Sequence, residues 1–124
     1  MRPITPDKTP DIDVPLSHGI VHEDLLFISG QVPFDMQTGD VVGDDIGEQT
    51  DQTLDNVTAV LNSVGASLDD VLKTTVFLVD INDFDRLNEV YRKRMSEPYP
   101  ARSVIEVSDL AADILVEIEA VAQV

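Results

Sequence analysis

The chain has 124 residues, 24 of them acidic and 8 basic, for a net charge of −16. That length suits a single domain, residues 1–124, and a hydrophobic content of 43% is enough to fill its core. The absence of cysteine excludes a disulfide framework, a thiolate zinc site and a thiol nucleophile, and the acidity disfavours nucleic acid or an anionic membrane as partner at low salt.

The acids are spread along the whole chain and lysine is scarce. Both features fit a halophilic source, where salt screens such charges over a few ångströms. No apolar run approaches the roughly 20 residues that cross a bilayer. Met1 to Asp13 is polar and proline-spaced, unlike a signal peptide. A cytoplasmic protein is therefore expected.

Residues 1–15 carry Pro3, Pro6, Pro10 and Pro15 and read as an extended N-terminal arm. His18 to His22 reads as a short strand. Leu25 to Gly30 is a stronger one, ended by Gly30 and Pro33. Asp35 to Asp40 is turn-rich, and Val41-Val42 suggests a short returning strand. Leu54, Val57, Leu61 and Val64 recur at helical spacing, which predicts a helix from about Ile46 to Val64. Gly65 stands where a left-handed C-terminal cap belongs. Val71 to Val79 is apolar and β-branched and predicts a buried strand. Asn82 or Asp83 can cap a second helix, whose Phe84, Leu87 and Tyr91 share a face and which Pro98 and Pro100 end.

Two more strands close the chain, one beginning at Ala101 and one rich in carboxylates. The short segment Asp109 to Ala112 between them predicts a hairpin. In that hairpin Arg102 lies opposite Glu119, and Arg102, Glu106, Glu117 and Glu119 share the face turned away from the helices. Arg102 and Glu117 are then diagonal neighbours, close enough to hold one small ligand. The simpler reading of Arg102 is an ion pair with Glu119 or Glu106, and of Glu117 a solvated acid. His18 and His22, the only histidines, read as surface residues. The two helices are expected on one face of a mixed, mostly antiparallel sheet, an α+β architecture.

Several segments also carry a resemblance. They are Leu26-Phe27-Ile28-Ser29-Gly30-Gln31-Val32-Pro33, Thr38 to Gly43, Gln49 to Val57, Lys73 to Leu78, Asp83-Phe84, Asn88-Glu89-Val90-Tyr91, Tyr99-Pro100-Ala101-Arg102-Ser103 and Val116 to Ala122. In this order, from about residue 18 to the end, they resemble the RidA (YjgF) family. The resemblance implies a chorismate-mutase-like fold and a homotrimer with sites between subunits. It implies hydrolysis of reactive 2-imino acids, such as 2-iminobutanoate and 2-iminopropanoate, to 2-oxo acids and ammonia, with no cofactor and no metal. Arg102 matches the arginine that binds the substrate carboxylate, and Glu117 the glutamate that handles the hydrolytic water. Ser29 matches a pocket serine and Asn88 an asparagine near the cleft. Leu16, in Val14-Pro15-Leu16-Ser17-His18, stands where the family usually has a pocket-lining tyrosine, and Val104 where it usually has cysteine. That departure at Leu16 supports one alternative, a non-catalytic module of the same fold that binds small carboxylates. A ribonuclease or translation inhibitor is the third reading, against which the charge argues.

Overall fold

The structure is a computed structural model that describes all 124 residues. Six strands form one sheet: β1 (Arg2–Ile4), β2 (Gly19–His22), β3 (Leu25–Gln31), β4 (Val71–Leu78), β5 (Ala101–Glu106) and β6 (Val116–Gln123). Their spatial order is β1-β2-β3-β6-β4-β5, with only β4 and β5 parallel. Helices α1 (Ile46–Asn62) and α2 (Phe84–Arg94) cover one face. The arm expected over residues 1–15 is thus not wholly free, because Arg2–Ile4 adds an edge strand to β2. The return of Val41-Val42 shrinks to a single bridge between Val41 and Phe34.

The ends of α1 follow from local chemistry. Asp45 caps it, its Oδ1 accepting from the Glu48 N–H at 2.9 Å. At the other end Gly65 adopts φ +75°, and the Ala66 N–H donates back to the Leu61 carbonyl at 3.0 Å. The start of α2 differs from expectation, since Asp83 precedes it without a side-chain capping bond. Leu54, Val57, Val60 and Leu61 of α1 are buried against Leu26, Val76, Val116 and Ile118 of the sheet, while Val64 packs at the margin. Arg94 joins the helices, its guanidinium meeting Asp51 at 3.0 Å and Asp55 at 2.7 Å. Along β4 only Val71, Thr74, Val76 and Leu78 are buried, so the strand buries one face in a single chain rather than two.

The hairpin expected between the last two strands is absent. β4 lies between β5 and β6, with Arg102 beside Thr74 and Glu117 beside Phe77. The reason is the crossover: a strand, a helix and a following strand return parallel, with the helix packed on the sheet. α2 therefore carries β5 to the free edge of β4, and residues 107–115 bring the chain across to the other side. This placement reverses the face assigned to β5. Side chains level with Thr74 and Val76 point to the helices, so Arg102 and Val104 lie on the helix side while Ser103 and Ile105 lie on the other. On β6 the expected assignment holds: Val116 and Ile118 are buried under the helices, and Glu117 and Glu119 face away. Arg102 and Glu117 are consequently on opposite faces of the sheet.

Candidate functional site

Arg102 ends on the helix side with no acid within 4.0 Å, so the ion pair with Glu119 or Glu106 does not form. Glu106 accepts instead from the Ile81 N–H at 2.9 Å. The guanidinium lies over the Tyr91 ring, 4.8 Å from its centroid, and 5.7 Å from that of Phe84. Tyr91 is held in turn by a 2.8 Å hydrogen bond between its hydroxyl and that of Thr74 on β4. Burial raises the Tyr91 pKa, and the Thr74 bond and the Arg102 charge oppose that rise in part. A cavity of about 240 Å³ opens here, lined by Asn88, Tyr91, Arg92, Tyr99, Pro100 and Arg102. Two guanidiniums and an amide at one small opening, in a chain of charge −16, make a site for an anion. Asn88 lines it from α2. Arg92 was not singled out from sequence, because a basic residue near a helix C-terminus is usually a solvated one, and Tyr99 entered only as part of the Tyr99–Ser103 motif.

Ser29 and Leu16 lie elsewhere. They line a second cavity of about 420 Å³, together with His18, Gly30, Val32 and Phe34. The Ser29 hydroxyl donates to the Ser17 carbonyl at 2.5 Å, and the Ser29 N–H to the His18 carbonyl at 2.9 Å. Ser29 therefore ties the arm to β3. Asn56 positions the opposite wall, its amide donating to the carbonyls of Val32 at 2.7 Å and Phe34 at 2.9 Å. Sequence reasoning missed Asn56 as a positioning residue. Its signal was a polar side chain one step from Val57 on the apolar stripe of α1, where it is 5% exposed.

Glu117 reaches from β6 to Gly30, one of the residues that line this second cavity. Its carboxylate lies directly over Gly30, so close that a Cβ there would fall 2.2 Å from Oε2 and 2.8 Å from Cδ. Burial pushes the Glu117 pKa up, and the Glu119 charge adds to the shift. A carboxylate raised in this way is a stronger proton acceptor than a solvated one. His18 departs from its expected surface position. It is 7% exposed, its Nε2 has no hydrogen-bond partner, and burial lowers its pKa, which keeps the ring neutral. His22 does remain at the surface. No group of three His, Asp or Glu side chains is placed to hold a metal ion, and no helix is long and apolar enough to cross a membrane.

The raised Glu117 pKa has a consequence for stability. The folded chain binds this proton more tightly than the unfolded chain, so ionisation of Glu117 opposes folding. The penalty is absent below the ordinary value of 4.5 and grows as pH rises through the folded pKa. Glu117→Gln is expected to melt at a higher temperature than the parent at pH 7, and the gap to close as pH falls toward 4.5. Thermal melts of both proteins across that range measure it, and a Gln variant that melts lower at pH 7 refutes it.

The family description "Endoribonuclease L-PSP" matches residues 7–124. The chain belongs to the RidA (YjgF) family. It is 46% identical over 116 residues to a RutC family protein of Pyrococcus abyssi, covering 94% of this chain and 91% of that one. It is 36% identical over 121 residues to the human 2-iminobutanoate/2-iminopropanoate deaminase, covering 98% and 88%. The crystal structure of E. coli TdcF with bound serine superposes with a TM-score of 0.90 at 35% identity, covering 100% of this chain and 99% of that one. The RidA-like α+β fold expected from the sequence is therefore the fold of this chain. Within it the residues matched by resemblance to the family's site lie in two separate places. Arg102 and Asn88 occupy one, while Leu16, Ser29 and the Glu117–Gly30 contact occupy the other.

Proposed function

We propose that this RidA-family chain hydrolyses reactive 2-imino acids, such as 2-iminobutanoate and 2-iminopropanoate, to 2-oxo acids and ammonia. The observation that carries the reading is Arg102: a guanidinium stacked on Tyr91, free of any carboxylate partner, at the mouth of a small cavity. Its planar fork suits a bidentate grip on a substrate carboxylate. Glu117 then serves as the base. It takes a proton from water as the oxygen attacks the iminium carbon, and returns it to the nitrogen as the C–N bond breaks. The iminium C=NH₂⁺ and one water thus give C=O and NH₄⁺, with no change in oxidation state. The likeness to the human deaminase supports the reaction. The serine held by TdcF supports a ligand that carries a carboxylate.

One chain does not bring these two groups to one ligand, because they lie on opposite faces of the sheet. The reading therefore requires Arg102 of one copy to meet Glu117 of another, in a homotrimer with its sites between subunits. The far face of the sheet has the character of such an interface, with Phe27, Leu72 and Ile105 each more than 40% exposed. Cytoplasmic imines released by other enzymes would be the substrates.

Leu16 supports a second reading, a module that binds small carboxylates without turnover. Ribonuclease activity has the family description behind it, but a charge of −16 repels a phosphate backbone. Freshly generated 2-iminopropanoate, with and without the protein, separates these readings. Faster ammonia release is expected, and Arg102→Ala is expected to lower kcat/KM by roughly 10² or more, the loss of two charge-assisted hydrogen bonds. An unchanged rate of imine decay refutes the catalytic reading.

A further inference from the structure

Five of the 8 basic residues stand between Arg86 and Arg102, in a chain that carries 24 acids. Four of the five are on α2. Acidic partners are shared unequally among them. Arg86 takes Glu89 at 2.7 Å, and Arg94 takes Asp51 and Asp55. Arg92 stands three residues beyond Glu89, a spacing that pairs opposite charges on a helix, yet it has no acid within 4.0 Å.

Arg92 also stands one helical turn beyond Asn88, so the two share a face of α2. That face lines the 240 Å³ cavity, where Arg102 supplies a second guanidinium without an acidic partner. Tyr99 and Pro100 border the opening from the segment that leads into β5. Lys93, next in the chain, does not line it. A cation in the last turn of a helix is ordinarily held by solvent and by the helix dipole, neither of which asks for a cavity. Two guanidiniums at one small opening repel each other, and a ligand with a single negative group answers only one of them.

We propose that Arg92 holds a second carboxylate, which makes the chain selective for dicarboxylic 2-imino acids and for the 2-oxo diacids they yield. The inference rests on the function proposed above. Arg102 holds the carboxylate next to the reacting carbon, and the terminal carboxylate of the ligand side chain meets Arg92 at the same opening. Each planar guanidinium can grip its carboxylate through two N–H donors. A ligand with an apolar side chain would gain nothing from the second charge. The rest of the acidic surface repels a dianion more than a monoanion, so a preference for the dianion has to come from contacts at this opening.

The test is calorimetric titration with 2-oxoglutarate and 2-oxopentanoate at one ionic strength, which needs no turnover. The two acids have equal chain length and differ only in a terminal carboxylate against a methyl group. 2-Oxoglutarate is expected to bind roughly 10-fold more tightly, the low end for a charged hydrogen bond because Arg92 is exposed. Arg92→Gln is expected to bring that ratio to about one. Lys93→Gln removes the same charge one residue away and is expected to keep the ratio within roughly two-fold of the parent, since an exposed charge outside the cavity is screened. Equal or weaker binding of 2-oxoglutarate overturns the second carboxylate site and, with 2-oxopentanoate still bound, leaves the deaminase reading standing. A preference that Lys93→Gln removes as fully as Arg92→Gln is general attraction, and overturns the role of Arg92. Failure of both acids to bind overturns the carboxylate anchor at Arg102, and the proposed function with it.

Discussion

Mixed oligomers of Arg102→Ala and Glu117→Gln subunits are expected to recover imine hydrolysis that neither variant has alone. Register carries this prediction. Arg102 lies beside Thr74 on the helix side of the sheet, and Glu117 beside Phe77 on the other. Three steps of β4 separate Thr74 from Phe77, and an odd number of steps reverses the face. A site that uses both groups must take them from different copies. Each variant alone lacks one group at every site. Removal of a general base costs roughly 10²–10⁴ in rate, and loss of the carboxylate fork is of similar size. After dissociation and random reassembly at equal ratio, about one site in four receives its Arg102 from a Glu117→Gln subunit and its Glu117 from an Arg102→Ala subunit, in any closed ring. Activity should therefore return to about a quarter of the parent value. If the mixture stays as inactive as its components while size measurements show mixed oligomers, the shared site is wrong. Arg102 has no ion pair to lose, and its contact with the Tyr91 ring is worth only about 0.5–1 kcal/mol. Arg102→Ala should therefore assemble normally.

Gly30→Ala should remove most of the activity while leaving the fold intact. The added methyl would sit 2.2 Å from Glu117 Oε2 and 2.8 Å from Cδ, distances no pair of atoms keeps. The end of a carboxylate side chain gives way more easily than two strands, so Glu117 moves and the sheet stays. Its displacement is of the order of 1 Å, and misplacing a catalytic group by that much costs roughly 10²-fold. Gly30 is not among the glycines with positive φ, so alanine is not strained there. It should even restrict the unfolded chain, worth about 0.4–1 kcal/mol. A strong fall in kcat with an unchanged or higher melting temperature is the expected pair of results. Retention of more than half the parent kcat would show that the position of Glu117 does not matter to the reaction.

The helix stripe Leu54, Val57 and Leu61 was legible in the sequence because burial on one side of a helix imposes its 3.6-residue period directly on the chain. The strand from Leu25 to Gly30 and the turn glycine Gly65 were legible from local pattern too, whereas the roles of Arg102 and Glu117 came only from the resemblance of the motifs around them. His18 was not. Its burial depends on the arm folding back, through the Ser29–Ser17 bond, onto a strand more than ten residues away. Asn56 reads as an ordinary helical polar residue until the loop after β3 reaches it.

The pairing of strands decided the most. Alternation along Ala101 to Glu106 shows that Arg102 and Val104 share a side, and alternation along Val116 to Gln123 does the same for Glu117 and Glu119. Neither pattern says how the two strands are phased against each other. That phase was fixed by β4 entering between them, a consequence of the α2 crossover, and a shift of one residue exchanges the faces. The sequence by itself therefore determined which residues are able to carry chemistry, because charge and hydrogen-bonding capacity belong to the side chain. Only the tertiary structure decided that Arg102 and Glu117 stand on opposite faces of the sheet, because neighbours in space are set by strand order, which no local pattern encodes.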